Sequence, residues 1–326
     1  MDNNSEKNGP VLKKAHDVKR KNKSRLMNKA NVIGMGVGYK IKNGKRTKQV
    51  SIRVYVSKKI SKEKLSPRDL LPKTIENIPV DVIEAKFEVD QDPSIPANHR
   101  LRFNPLLGGI SIGNSVLGGS GTLGVSVFDN VLGEDMMLSN WHVLCGRVTC
   151  ALGEPVIQPG SGGGDVAGPV VGTLYRTAIT NQVDGAIARL SGDRFLLKEL
   201  FGWGQVSSAA APALGMGVRK SGRTTGITSG VITDIDADIS ITYRDGVTRS
   251  FQNQVMIENG SQVSRPGDSG SIWIDDSNNA VGLNFAHSGD IGVANPMPAV
   301  LSALNINFRI GITMHDFVAI TVNTLL

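Results

Sequence analysis

Residues 265–271 read Arg265-Pro266-Gly267-Asp268-Ser269-Gly270-Ser271, and the apolar run Ile272-Trp273-Ile274 follows at once. Glycines on both sides of Asp268-Ser269 permit a tight turn without side-chain clash, and the run after it reads as a strand. A turn of this kind exposes a hydroxyl and leaves the N–H groups of Gly267 and Ser269 free to face an oxygen that becomes negative when an acyl carbon is attacked. A serine hydroxyl alone is a weak nucleophile, so the chemistry also requires a base and a group that orients the base.

The chain of 326 residues has length enough for one large or two modest domains. Glycine is abundant (38) and aromatic residues are scarce (5%), while short valine- and isoleucine-rich runs recur between turn residues. That pattern predicts a mainly β protein. The formal charge of +7 is uneven: residues 1–100 hold 23 Lys/Arg against 11 Asp/Glu, and the remainder is mildly acidic. The first thirty residues lack an apolar stretch of signal-peptide length, and no run approaches a membrane span, so a cytoplasmic protein with no membrane partner is expected. Cys145 and Cys150 lie close enough to bridge, yet two cysteines make no disulfide scaffold. A zinc site on Cys145, Cys150 and His142 lacks a fourth ligand, and neither metal nor cofactor is expected.

Residues 1–29 are lysine-rich with no sustained apolar periodicity, which predicts a disordered basic arm. A nucleic-acid arm is the weaker reading, because no aromatics are interleaved with the charges. Residues 30–90 read as a small ββαβ module: Val32 to Tyr39, an Asn43-Gly44 turn, the alternating run Val50 to Val56, a short helix or turn from Lys62 to Leu71, and the strand Pro79 to Ile83. Gly34, Gly36 and Gly38 have the wrong spacing for a phosphate loop and predict a strand closely approached by a neighbour. Pro93, Pro96 and Pro105 mark 91–105 as a linker. Short strands punctuated by turns then fill 106–310, with one good helix at Ala299–Leu304, ahead of an uninformative tail, 311–326.

Two further blocks supply the missing groups. His142 ends the run Leu138-Ser139-Asn140-Trp141, where its backbone is held and its imidazole can enter a cleft. Asp184 opens the apolar run Gly185-Ala186-Ile187-Ala188, where a buried carboxylate can fix the imidazole tautomer. Asp165 is the rival carboxylate, but its glycine-rich loop fits a turn role better.

These blocks resemble those of the trypsin-like serine peptidases with the chymotrypsin fold. Ser221-Gly222-Arg223-Thr224-Thr225-Gly226 further resembles a strand of the bacterial streptogrisin-like branch, without that branch's flanking disulfide cysteines. The resemblance implies a chymotrypsin-like double β-barrel over 106–310 with the site between barrels. It implies His142 as general base, Asp184 as its orienting partner, Ser269 as nucleophile and the Gly267 and Ser269 N–H groups as oxyanion hole. Val263 and Ser264 would fall near the floor of the specificity pocket, where neither supplies the charge that an Arg/Lys preference needs. Phe285, Ala286 and His287 would fall on the substrate-lining strand, with His287 either touching substrate or lying at the surface.

The leading expectation is therefore a serine endopeptidase acting on a protein or peptide substrate through an acyl-enzyme. The alternative is a binding or regulatory protein on a protease-derived scaffold, prompted by the added N-terminal module. In a third reading residues 1–100 regulate the domain or are processed from it. Oligomeric state is left open.

Overall fold

The computed structural model describes residues 5–42, 45–89, 98–192 and 194–309. The elements that position the site are the helices α1 (Ser5–Met27), α2 (Trp141–Leu144) and α3 (Met297–Leu304), and twelve of the strands. These are β1 (Val32–Lys42), β2 (Lys45–Val56), β3 (Ile78–Glu84), β4 (Glu88–Val89), β5 (Asp135–Ser139), β6 (Asp184–Leu190), β7 (Gly217–Gly222), β8 (Gly226–Thr242), β9 (Thr248–Glu258), β10 (Ile272–Ile274), β11 (Asn279–Ser288) and β12 (Ile291–Pro296).

The protein is mainly β, as its turn-punctuated sequence predicts. In one body β5 and β6 pair antiparallel at the centre of an eight-stranded sheet. Leu123 N–H donates to Ile110 (2.8 Å) and Gly124 N–H to Leu138 (2.8 Å), so the segment between them draws opposite parts of that sheet together. In the other body β7, β10, β11, β12, β9 and β8 follow one another in hydrogen-bonded order, and a β7–β8 pairing closes the ring. Closing a sheet in this way removes its edges. Buried valines, isoleucines and leucines of alternate strand positions fill both interiors.

The N-terminal strands extend the second body's sheet. β1 pairs antiparallel with β8, β2 with β1, and β3 lies parallel to β2. The glycines of β1 behave as their spacing predicts: a Cβ on Gly36 would stand 1.9 Å from the Asp234 carboxylate, and one on Gly38 would stand 2.1 Å from the Thr233 carbonyl. Asn43 and Gly44, read as the turn between β1 and β2, lie outside the described residues. Between β2 and β3 only a 3₁₀ turn, Lys62–Lys64, is helical. The module's true helix precedes β1 instead.

That helix corrects the disordered-arm expectation for 1–29. Ala15, Val18 and Leu26 of α1 are fully buried against Met35, Val37 and Ile52. Lys19 is buried too, and its ammonium pairs with Asp236 (2.9 Å) and Asp238 (3.0 Å) on β8, while His16 reaches Asp236 (2.6 Å). The apolar stripe is one residue wide in a lysine-rich stretch, and the counter-charges lie some two hundred residues away in sequence. In the predicted linker Asn98–Arg100 forms a 3₁₀ turn, and residues 90–97 lie outside the described residues, as does the tail 311–326. Helix α3 begins two residues before its predicted start. Cys145 and Cys150 are paired as a disulfide. No helix among the described residues is long and apolar enough to cross a membrane.

Where the module meets the second body, Asp234 is fully buried and accepts hydrogen bonds from Val37 N–H (3.0 Å) and Tyr55 OH (3.1 Å). Burial pushes its carboxyl up to about 6, with Arg53 opposing the rise. The raised value means the folded chain holds this proton more tightly than the unfolded chain. The contribution to stability is thus complete below the ordinary carboxylate range and is lost as pH rises through about 6. Compared with Asp234→Asn, the unsubstituted chain is expected to lose about 3 kcal/mol of unfolding free energy between about pH 3 and pH 8, measured by urea denaturation across that range.

Candidate active site

Helix α2 is a single turn entered from β5 through Asn140, and it points His142 into the seam between the two bodies. The His142 Nδ1–H donates to Asp184 Oδ2 at 2.6 Å and the His142 backbone N–H donates to Asp184 Oδ1 at 3.1 Å. Asn140 Nδ2 donates to the Asp184 carbonyl (2.7 Å), fixing the start of β6 against the α2 turn. From the other body, Asn295 Oδ1 on β12 accepts the Asp184 backbone N–H (3.0 Å), and Asn295 is itself held by Gln254 (2.7 Å). The His142 side chain is 1% exposed and Asp184 0%. The outer nitrogen, Nε2, is buried and has no partner among the described residues.

Tyr243, just past the end of β8, donates its hydroxyl to the same Asp184 Oδ2 at 2.6 Å. Its ring stands edge-on to His142, centroids 5.8 Å apart. Burial and the adjacent Asp184 carboxylate push the Tyr243 hydroxyl well above its ordinary range, so it remains a donor throughout the neutral range. Nothing local in the sequence marks this tyrosine. It sits two residues before an ordinary Asp245-Gly246 turn, and its role exists only once β8 crosses the seam.

The Ser269 turn is secured by both bodies. Thr122 N–H donates to the Ser269 carbonyl (2.7 Å) and Thr122 Oγ1 donates to the Gly267 carbonyl (2.9 Å), while Gly270 N–H donates to the Asn284 carbonyl (2.9 Å). Gly267 and Gly270 both take φ of +96°, which favours glycine, and a Cβ on Gly270 would stand 2.1 Å from the Thr122 carbonyl. Neighbouring Gly121 ties this turn to α2, since a Cβ there would strike Val143 at 2.5 Å and the Ser269 carbonyl at 2.9 Å. The Ser269 hydroxyl donates to the Phe285 carbonyl at 3.2 Å. The N–H groups of Gly267 and Ser269 donate to no group of the described chain.

Beneath Ser269 lies a buried charge. Asp268 accepts from the N–H groups of Thr224 (2.9 Å), Thr225 (3.0 Å) and Arg265 (3.0 Å) and from Thr225 Oγ1 (2.7 Å), and it faces the Lys220 ammonium at 3.3 Å. Burial alone would raise its carboxyl, but Lys220 and these donors hold it below the ordinary carboxylate range. The rival Asp165 is bound by other side chains and anchors a loop. Arg223 reaches it with Nε (2.8 Å) and Nη2 (2.9 Å), and Arg100 and Ser111 bind it as well. Arg223 also donates to the Gly162 and Gly163 carbonyls. The block 220–225 thus supplies the cations and amides that shape the site. Its motif is visible in sequence, although what Lys220 and Arg223 bind is not.

A cleft of about 420 Å³ opens beside His142, bordered by Gly119, Ser120, Ser161, Tyr243 and Arg244. Val263 and Ser264 do not line it. Val263 is fully buried against Trp273 and Val218, and Ser264 accepts from Asn284 Nδ2 (2.9 Å). Phe285 packs its ring on Phe251 (centroids 5.0 Å apart), and Ala286 and His287 follow it along β11, opposite β4.

Residues 18–86 match the family of the NARROW LEAF 1 N-terminal domain. No curated protein matches the chain in sequence. Among solved structures, the chain is similar to a glutamic acid-specific serine protease, with 23% identity over 63% of this chain and 100% of that one and a TM-score of 0.47. It is similar to Cellulomonas bogoriensis chymotrypsin at 23% identity, over 63% of this chain and 98% of that one, with a TM-score of 0.45. It is similar to the Nocardiopsis protease NAPase at 19% identity, over 63% and 100%, with a TM-score of 0.46.

Removing the cation beneath the serine turn leaves Asp268 buried without its counter-charge. Lys220→Met is expected to cost about 3–5 kcal/mol of stability, read as a fall in thermal midpoint, whereas Arg219→Met, on the neighbouring and more exposed side chain, should cost far less.

Proposed function

We propose that the chain is a serine endopeptidase of the chymotrypsin-fold type, acting on protein or peptide substrates. The observation that carries this reading is the His142–Asp184 pair. One imidazole nitrogen is fixed by a buried carboxylate at 2.6 Å, and the other is buried with no partner among the described residues, next to a glycine-flanked serine turn. An imidazole held in that tautomer accepts a proton at Nε2 and passes it on, while the carboxylate stabilises the imidazolium that forms.

The steps follow from the residues present. Ser269 Oγ turns from the Phe285 carbonyl toward His142 Nε2 and attacks the substrate carbonyl carbon, as its proton passes to Nε2. The oxyanion takes hydrogen bonds from the unengaged N–H groups of Gly267 and Ser269. The C–N bond then breaks, the leaving amine takes the proton from Nε2, and water repeats the sequence on the acyl-enzyme with the same base.

Tyr243 is a positioning residue here. By donating to Asp184 Oδ2 it shares the carboxylate charge that His142 also uses, and it restrains the ring edge-on. A second reading, a peptide-binding protein with little turnover, draws on the Ser269 hydroxyl being engaged by Phe285 rather than by His142.

Two measurements test these assignments. A fluorophosphonate probe should label the unsubstituted chain at neutral pH and fail to label Ser269→Ala; a chain that never labels defeats the hydrolase reading. Tyr243→Phe keeps the ring and removes one hydrogen bond to a charged group, so kcat should fall about tenfold with KM little changed.

A further inference from the structure

The edge of β11 next to the serine turn is not vacant. β10 pairs with β11 only as far as Leu283, and β12 covers the other edge from Gly282 to Ser288. On the side that β10 leaves, β4 adds an antiparallel rung pair, Val89 opposite Ala286 and Glu88 opposite His287. Because β4 runs opposite to β11, it is directed toward Phe285, the residue whose carbonyl receives the Ser269 hydroxyl.

The segment leading into this strand is anchored at two points. Ala85 N–H donates to the Val56 carbonyl (2.9 Å) at the end of β2, and Lys86 N–H donates to Ser288 Oγ (2.7 Å) at the end of β11. The side chains alternate as a strand laid on a core requires: Ala85 and Phe87 are buried, and Lys86 and Glu88 are exposed. Phe87 stands edge-on to Tyr55 (centroids 5.4 Å apart) and belongs to the same core cluster as Phe285, Ala286 and Ile291. An extended strand added to a sheet edge, with alternate side chains in apolar contact, is the way a peptide is bound by strand addition.

We propose that residues 85–89 are a built-in ligand of the peptide-binding edge, so that an extended peptide in trans binds only by displacing the chain's own strand. This rests on the reading of β11 as the edge that receives substrate. The ligand is tethered to a module already bonded to β8, so it competes at an effective concentration of about millimolar without a large affinity of its own. The class of molecule that displaces it is an extended peptide with an apolar residue where Phe87 sits.

The test separates this proposal from the hydrolase reading by measuring binding where nothing is cleaved. In full-length chains carrying Ser269→Ala, a fluorescent peptide with the sequence of residues 85–89 is titrated by anisotropy into the parent and into a Glu88→Pro/Val89→Pro variant. Proline removes the N–H groups that a ladder needs. The variant should bind the peptide about tenfold more tightly or better. Equal affinity for both chains, or no binding to a folded variant, overturns the proposal. Circular dichroism establishes folding, and Val89→Pro alone serves under the same criteria should the pair not fold. Failure of the hydrolase reading registers elsewhere, as absence of fluorophosphonate labelling in the Ser269-intact parent.

Discussion

A single buried carboxylate, Asp184, holds the site together. It opens a strand of one body, takes two hydrogen bonds from His142 on the same body, and takes a third from Tyr243 on the other. A charge with no exposure survives only when donors surround it, because desolvation of an unpaired carboxylate costs far more than any one contact returns. The two bodies must therefore meet with Tyr243 and Asn295 in register, or the Asp184 carboxylate loses one of its three donors and its backbone N–H loses its acceptor. The geometry around the imidazole is in this sense a requirement of burial before it is a requirement of chemistry.

The same logic recurs at the loops. Asp268 under the serine turn is neutralised by Lys220, and Asp165 under the glycine loop by Arg223 and Arg100; Lys220 and Arg223 come from one short block of sequence. Only Cys145 and Cys150 form a covalent bridge among the described residues. Buried ion pairs thus do much of the fastening at the serine turn. They fix loop conformation rather than add large net stability, since their Coulombic gain is largely offset by desolvation. The consequence is specificity of shape: removing either partner leaves the other exposed to the full penalty.

What the sequence discloses follows from how local each signal is. The Ser269 turn, the alternating strands and the glycines of β1 are written in adjacent residues, and their spacing alone predicts turn, strand and close approach. His142 and Asp184 stand out because each sits at the end of an apolar run, and the structure brings them to 2.6 Å. Helix α1 is hidden because its partners, Asp236 and Asp238, lie on a distant strand. A lysine that neutralises them looks in sequence like any solvated lysine. Tyr243 is hidden for the same reason.

The continuity of the sheet also determines which part of the N-terminal region can influence the site. Detaching the whole module would unzip β1 from β8, uncover the packed glycine face against Asp234 and separate Arg53 from Glu258, so it exposes several buried polar groups at once. Releasing residues 85–89 breaks one hydrogen bond at each anchor and a two-residue ladder, and among large apolar side chains it withdraws chiefly Phe87 from the core. Local openings that uncover little surface lie at the low end of a protein's stability spectrum, and whole-sheet separations lie at the high end. The module is therefore a fixed mount, and the short strand it carries across to β11 is the compliant part. That strand is directed toward Phe285, whose carbonyl accepts the Ser269 hydroxyl, so its release can reach the serine turn while the two bodies stay joined at Asp184.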